Sequence, residues 1–234
     1  MMKPYRFLLT AFVGLLMALP AGSAPWAASP TDGPTFIPAD DARIAYMGRI
    51  SHRIPGAVTF TYPGVSIFAR FEGTSLRMKA KPGSGDFMVE IDGQWPYRIS
   101  FSANDSIQTL AEGLPQGIHH ARVMYILEGY ELKPVFKGFY VDKGCGLAEA
   151  PALPARRMEF IGNSITCGYG VEADSPREPF TYETENHFYS YAALTARALN
   201  AQHHASRAPA SASTATGALP HPAAGTVCRP CMNR

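Results

Sequence analysis

Short apolar runs bounded by turn residues occupy most of the chain between residues 35 and 141. Residues 75–80 alternate apolar with basic positions, which is the period of a strand with one wet face. Pro63-Gly64 and Asp92-Gly93 supply turn signals between runs. The predicted strands are residues 57–62, 65–71, 75–80, 87–91, 97–101, 107–110, 119–127 and 136–141. Their spacing of about 8–12 residues, with no helical period between them, predicts an antiparallel β-sandwich.

A second pattern begins after a linker. Residues 144–156 are rich in Gly, Ala and Pro, which disfavours regular structure. Residues 158–161 then form a short apolar run that predicts a buried strand, and a glycine-punctuated turn follows it. In residues 185–200 apolar side chains recur at three- and four-residue steps, which predicts an amphipathic helix. The three elements together form a β–turn–α unit, the first unit of a doubly wound fold.

The amino terminus has the pattern of a targeting segment. Lys3 and Arg6 precede an apolar run over residues 7–19, and Pro20 and four small residues follow it. This is the layout of a signal peptide, so residues 1–28 predict export to a secreted or periplasmic location. The alternative is a membrane anchor, but the run is shorter than the roughly 20 residues that span a bilayer. We therefore expect no membrane attachment after cleavage.

Composition and charge narrow the classes of function. Hydrophobic residues make up 46% of the 234-residue chain, enough for a core. The formal net charge is only +2 and no Lys/Arg stripe accompanies it, which argues against a nucleic-acid partner. His119 and His120 fall on opposite faces of one predicted strand, so we expect one to be buried and the other solvated.

Four cysteines add little to the functional interpretation. Cys145 lies in the linker, and Cys167 is expected to be a buried turn residue rather than a nucleophile. Cys228 and Cys231 have the spacing of half a zinc site or of a redox pair, but no second pair supports either interpretation.

The candidate for chemistry is Ser164, which lies in the turn after residues 158–161. A strand-to-turn junction projects a side chain from the carboxyl edge of a parallel sheet, where α/β folds build their sites. There a serine hydroxyl can act as a nucleophile, and its backbone N–H can face the oxyanion formed during acyl transfer. The alternative is that Ser164 only forms a turn, as most serines between glycines do.

The residues around Ser164 carry a family resemblance. Residues 159–170, EFIGNSITCGYG, resemble the first conserved block of SGNH (GDSL-type) esterases, and they are most similar to carbohydrate esterase family 2, the two-domain acetylxylan esterases. Residues 185–200, ENHFYSYAALTARALN, resemble that family's first helix. The family usually has Asp where Asn163 stands; Asn is isosteric and can still accept backbone hydrogen bonds.

The resemblance implies a fold and an activity. It implies an N-terminal jelly-roll β-sandwich followed by the first β–turn–α unit of an incomplete SGNH α/β hydrolase domain, so the chain is mainly β. It implies a secreted serine esterase that removes O-acetyl groups from acetylated plant polysaccharides or oligosaccharides, with Ser164 as nucleophile. It implies no metal and no organic cofactor, and we expect a monomer.

The carboxyl-terminal residues depart from this resemblance after about residue 204. Residues 205–234 lack hydrophobic periodicity and predict a disordered tail. Synonymous back-translation in the next frame permits VACSGIGVYRN from residue 205 and LPAMYEP near the end, which resemble later segments of the family. These two matches predict a frameshift near codons 203–206. Ordinary disorder is the alternative.

A truncation of this kind would remove the catalytic base. Serine esterases need a histidine to accept the serine proton, and the family supplies it late in the chain. The sequence places His187, His203 and His204 on or at the end of the predicted helix, and His221 in the tail, so none matches that position. We therefore expect an inactive chain, in which the hydrolase remnant of residues 157–204 is disordered or loosely docked on a sandwich of residues 29–143.

A different class of function is a non-catalytic carbohydrate-binding β-sandwich. Tyr62, Trp95 and Tyr97 could stack on sugar rings, although aromatic residues in sandwiches more often pack in the core or at the rim.

Overall fold

Two antiparallel five-stranded sheets form the first part of the computed structural model, which describes residues 33–207. In one sheet, β10 pairs with β1, β5 and β3, and β5 pairs with β8. In the other, the order is β2-β4-β9-β6-β7. The strands are β1 (Thr35–Pro38), β2 (Ala45–Met47), β3 (Val58–Thr59), β4 (Ser66–Gly73), β5 (Leu76–Ala80), β6 (Gly85–Ile91), β7 (Tyr97–Phe101), β8 (Ile107–Ala111), β9 (Gly117–Tyr125) and β10 (Val135–Val141).

The strand order is that of a jelly roll. Strands β1-β10-β5-β8 face β4-β9-β6-β7, which is the eight-strand, two-sheet arrangement of that fold. Each of the eight runs predicted from the sequence contains a strand, so the predicted sandwich is confirmed. The turn between β6 and β7 is also as expected, because Asp92 and Gly93 both have positive φ, +53° and +69°, as a two-residue hairpin turn requires.

Alternation along the strands builds the core between the sheets. In β5, Leu76 and Met78 are buried while Arg77 between them is exposed, which confirms the half-buried strand. Aromatic side chains fill the centre, where the Phe87 and Tyr125 rings lie 5.1 Å apart. His119 is buried beside Asp92 and His120 is exposed, as the strand period predicted.

The predicted linker is attached to the sandwich rather than free of it. Residues 142–155 form no named strand, but the N–H of Glu72 donates to the carbonyl of Gly146, and the N–H of Ala148 donates to the carbonyl of Arg70. Leu147 is buried against the sandwich core. The edge of β4 therefore holds the connection to the next unit.

A β–α–β unit follows, with a parallel strand pair. It consists of β11 (Arg156–Gly162), α1 (Ser164–Cys167), a 3₁₀ helix (His187–Tyr189), α2 (Tyr191–Ala198) and β12 (Ala201–Arg207). Strands β11 and β12 pair in parallel from Arg156 opposite Ala201 to Gly162 opposite Arg207. The predicted β–turn–α order is confirmed, and the strand that follows it makes the sheet parallel.

Three details of this unit differ from the predictions. The helix predicted over residues 185–200 is broken at Ser190, whose hydroxyl caps α2 by accepting the N–H of Ala193. Strand β11 is half-exposed rather than buried, with Ile161 70% exposed, because β12 is its one partner strand among residues 33–207. Strand β12 runs to Arg207, so the tail does not begin at residue 205 as predicted.

The β–α–β unit packs closely on the sandwich, so the loose docking predicted for residues 157–204 is wrong. The N–H of His187 donates to the carbonyl of Ile126 at 3.0 Å, and the N–H of Glu128 donates to a carboxylate oxygen of Glu185 at 2.9 Å. Arg98 of β7 also pairs with Glu172 at 2.9 Å. The described residues of both parts belong to one compact unit.

Several predictions lie outside the described residues. These are the signal peptide of residues 1–28, the disordered tail beyond residue 207, and the roles of Cys228, Cys231 and His221. Among residues 33–207, no helix is long and apolar enough to cross a bilayer.

Candidate active site

Ser164 lies at the junction between β11 and α1. Gly162 ends the strand, Asn163 caps the helix with extended backbone angles, and Ser164 is its first residue. The helix ends after one turn at Gly168, which has φ of +97°. A side chain at Gly168 would lie 2.6 Å from the backbone of Asn186, so glycine is needed there for close approach as well as for its left-handed conformation. The sequence-predicted strand–turn geometry is therefore present.

Asn163 makes hydrogen bonds of the kind expected from the Asp that the family usually has at this position. Its side-chain oxygen accepts the N–H of Ile165 at 3.0 Å, and its backbone carbonyl accepts the N–H of Thr166 at 3.0 Å. This confirms that Asn can provide the backbone hydrogen bonds of the turn. The N–H of Ser164 itself has no acceptor within residues 33–207, and the Ser164 hydroxyl has no hydrogen-bonding partner there.

A pair of buried histidines lies beside the turn that carries Ser164. His187 and His203 are 0% and 2% exposed, and their Nε2 atoms lie 3.0 Å apart. Because the carbonyl of Thr166 can only accept, His187 donates its Nδ1 proton to it at 3.0 Å. His187 Nε2 is then an acceptor, and His203 donates its Nε2 proton to it.

Burial keeps both rings neutral. It lowers the pKa of His187 to about 4, against a smaller opposing effect of the carbonyl oxygens of Thr166 and Cys167. Burial, together with the charges of Arg122 and Arg197, lowers the pKa of His203 to about 3. A general base should have a pKa near the working pH, and neither ring meets that condition.

The histidine pair joins the two parts of the chain. A side chain at Gly64 would lie 2.8 Å from Nε2 of both histidines, so the turn before β4 presses against the pair. The backbone N–H of His203 also approaches the sulfur of Met47 at 3.3 Å. His187 contacts α1 through Thr166, so the pair connects the sandwich to the helix that carries Ser164.

Two histidines lie on a different element from the one predicted from the sequence. His203 and His204 lie on β12, not at the end of the helix, because Asn200 has φ of +46° and turns the chain into the strand. His187 lies on the 3₁₀ helix. His204 packs edge-on against Tyr62, with ring centroids 5.4 Å apart. None of these three histidines hydrogen-bonds to Ser164.

Buried polar groups also lie where the β–α–β unit packs on the sandwich. Cys167 is fully buried, which confirms its predicted environment, and its thiol approaches a carboxylate oxygen of Glu128 at 3.3 Å. Glu185, also fully buried, accepts the N–H of Glu128. Among residues 33–207, no cluster of His, Cys, Asp or Glu side chains is arranged to hold a metal ion.

The three aromatic residues that the sequence analysis names as possible sugar contacts do not lie together in one site. Trp95 lies in the β6–β7 hairpin and is 93% exposed. Tyr97 is partly exposed, and its hydroxyl donates to the carbonyl of Leu110. Tyr62 lies beneath the guanidinium of Arg49, 5.1 Å from the ring centre.

Sequence reasoning missed the residues that brace the site from the sandwich. Gly64 was assigned only to a turn, and Met47 and Glu128 had no assigned role. Their contacts with His203, His187 and Cys167 join distant parts of the chain, and no local pattern signals them. The positive φ of Gly64, +83°, agrees with its predicted turn but does not predict the rings against it.

The arrangement defines a class of protein: a jelly-roll sandwich carrying a parallel β–α–β unit with a serine at its strand–helix junction. Residues 46–151 match the carbohydrate esterase 2 N-terminal family model. The cellulase/esterase CelE of Acetivibrio thermocellus is 37% identical over 164 residues, 69% of this chain and 20% of that protein. The acetylxylan esterase / glucomannan deacetylase of Cellvibrio japonicus is 29% identical over 168 residues, 71% of this chain and 46% of that protein.

A solved structure agrees with these matches. The family two carbohydrate esterase from Clostridium thermocellum in complex with cellohexaose superposes with a TM-score of 0.64 at 37% identity, covering 70% of this chain and 50% of that one. These matches show that the chain is similar to carbohydrate esterases of family 2, and its residues 46–151 belong to that family's N-terminal domain. The chain spans less than half the length of either curated relative.

Proposed function

We propose that this chain derives from a secreted carbohydrate esterase that removes O-acetyl groups from plant cell-wall polysaccharide, with Ser164 as nucleophile. The observation that carries the proposal is the position of Ser164 at the start of α1, directly after a parallel strand. The names of the relatives, an acetylxylan esterase / glucomannan deacetylase and a cellulase/esterase, support the substrate class. The predicted signal peptide supports export.

The proposed reaction follows from the serine's surroundings. The Ser164 oxygen attacks the acetyl carbonyl carbon, and the carbonyl oxygen becomes an oxyanion that the N–H of Ser164 can face. A base takes the Ser164 proton during the attack; when the intermediate collapses, the bond from the acetyl carbon to the sugar oxygen breaks, that oxygen takes the proton and leaves as a hydroxyl, and the acetyl group remains on Ser164. Water then attacks the ester, releases acetate and restores the serine hydroxyl.

The same proposal makes the 234-residue chain inactive. Ser164 needs a base, and His187 and His203 are neutral and hydrogen-bonded to each other. His204 lies at the middle of β12, opposite Glu159 and three residues short of the carboxyl end of β11, after which Ser164 stands. The frameshift hypothesis would place the base in the later family segments, which back-translation in the other frame permits.

Two measurements test the proposal. Purified chain is incubated with acetylated xylan, and released acetate is quantified; we expect none above the level of a Ser164→Ala control. The gene is also sequenced from codon 195 past the stop codon. An insertion or deletion near codons 203–206 is expected, whereas an intact frame whose other frames lack the family segments contradicts the frameshift.

A second candidate function is glycan binding by the sandwich, which one observation favours. Trp95 is almost fully exposed at a hairpin tip, where an indole ring can stack on a sugar. Binding of neutral xylan that Trp95→Ala abolishes, without turnover, would favour this function over the esterase.

A further inference from the structure

A positively charged groove runs along the sandwich on the side of β2 and β3. Its larger part, about 810 Å³, lies between the β2–β3 connection and the residues that begin β10. Its smaller part, about 450 Å³, lies between β2 and the first residues of β11 and β12. Arg49 lines both parts, so they adjoin each other at that residue. The cations that line this groove are Arg49, Arg53, Lys133 and Arg157.

No carboxylate balances these four cations. Neither part of the groove has an Asp or a Glu among its lining residues, and within residues 33–207 none of the four forms an ion pair. Arg98 and Arg122, by contrast, are paired with Asp86 and Glu90. The lining of the groove therefore carries a net positive charge, although the whole chain is nearly neutral.

The lowered pKa of His204 agrees with the positive charge of the groove. Burial lowers the pKa of His204, and the charge of Arg49 lowers it further. Glu159, the residue opposite His204 on β11, acts in the other direction but does not line the groove. Arg49 also lies over the Tyr62 ring, which holds the guanidinium against the groove wall.

The groove is separate from the candidate active site. Arg157 and Met158 line it near the beginning of β11, whereas Ser164 follows the end of that strand at Gly162. Gly162 lies five residues beyond Arg157, which is about 16 Å at the rise of a β-strand. A ligand in the groove would therefore not displace an acetyl group at Ser164.

The lining of the groove matches a sugar that carries carboxylates. Guanidinium groups recognise carboxylates through paired hydrogen bonds. Between the cations the wall offers the hydroxyls of Ser51, Thr59 and Thr61 and the half-exposed side chain of Ile54, which suit the polar and apolar faces of a sugar ring. We propose that this groove binds the uronate groups of an acidic polysaccharide. The choice of a glycan among anionic polymers rests on the proposed function.

The binding of the 234-residue protein to polygalacturonate tests the inference, with unsubstituted xylan as the neutral probe. We expect polygalacturonate to bind at low salt and to weaken as salt screens the charges. The Arg49→Gln/Arg53→Gln and Arg157→Gln variants should each lose about tenfold or more in affinity, since each loses charge-assisted hydrogen bonds. Arg77→Gln is the matched control, because Arg77 is exposed on β5 and does not line the groove. Circular dichroism confirms that every variant is folded.

Each outcome has one meaning. Unchanged binding in the groove variants, or an equal loss in Arg77→Gln, overturns the groove assignment. Groove-dependent binding of a single-stranded oligonucleotide that matches polygalacturonate in affinity would make the groove a general polyanion site and overturn the uronate assignment. Ser164→Ala should leave polygalacturonate binding unchanged. Acetate release is measured separately, so failure of the groove leaves the esterase proposal standing, and failure of the esterase leaves groove binding measurable.

Discussion

The buried histidine pair predicts an acid-sensitive fold. His187 and His203 are neutral in the folded protein, with pKa values lowered to about 4 and about 3, whereas an unfolded histidine has a pKa of about 6.5. Between these values the unfolded state binds more protons than the folded state, so stability is full above pH 6.5 and is lost as pH falls. Lowering the pH from 7.5 to 5 should cost about 2 kcal/mol for each histidine, or about 4 kcal/mol for the pair.

Urea unfolding at pH 7.5, 6 and 5 measures this loss. The His203→Gln variant removes one of the two titrating rings, and the Gln amide can still donate to His187. Its free energy of unfolding should therefore fall by about 2 kcal/mol less over this range. His52→Gln, at an exposed position, is the control and should follow the unmodified chain.

His119 acts with the opposite sign and must be separated. The hydrogen bond from His119 to Asp92 raises the pKa of the ring, so this pair contributes stability at low pH that is lost as pH rises through the raised value. The comparison of His203→Gln with the unmodified chain cancels that effect. An unfolding free energy that stays level from pH 7.5 to 5, or that falls equally in both proteins, would refute the assignment of the buried neutral pair.

Three further predictions concern the packing of the β–α–β unit on the sandwich and the turn that carries Ser164. Gly64→Ala should destabilise the fold by about 3 kcal/mol or more, because a new methyl group meets both histidines and the backbone is left-handed; Gly56→Ala, which has the same backbone handedness and open space around it, should cost only about 1–2 kcal/mol in thermal unfolding. Asn163→Ala should cost about 1 kcal/mol through loss of the cap on α1, whereas Asn163→Asp should retain the stability of the chain; an equal loss in both would show that the cap hydrogen bond is unimportant. Limited proteolysis should leave a protected fragment that extends to Arg207, and a fragment ending near residue 150 would contradict the close packing of the β–α–β unit.

The sandwich could be predicted because its signals are local. Alternation in residues 75–80 and the Asp92-Gly93 pair depend on neighbouring residues, and the structure reproduces them as β5 and a hairpin turn. The position of Ser164 after a strand could be predicted for the same reason. Strand length, turn chemistry and glycine spacing each depend on only a few neighbouring residues.

The errors arose where distant contacts decide the structure. The helix predicted over residues 185–200 fails at its beginning because Glu185 and His187 bond to Glu128 and Ile126 of the sandwich. His203 and His204 were placed at the end of the helix because the left-handed Asn200 gives no strong sequence signal for the strand that follows. The contact of Gly64 with His187 and His203 requires the folded chain, so no periodicity reveals it.

The most direct test of the account is acetate release from acetylated xylan by the product of the gene read in the alternative frame after codon 204. The account predicts release by that product, loss of release in its Ser164→Ala variant, and no release by the 234-residue chain. Equal release with and without the Ser164 hydroxyl, or release by the 234-residue chain itself, would contradict the assignment of Ser164 as a nucleophile that lacks its base.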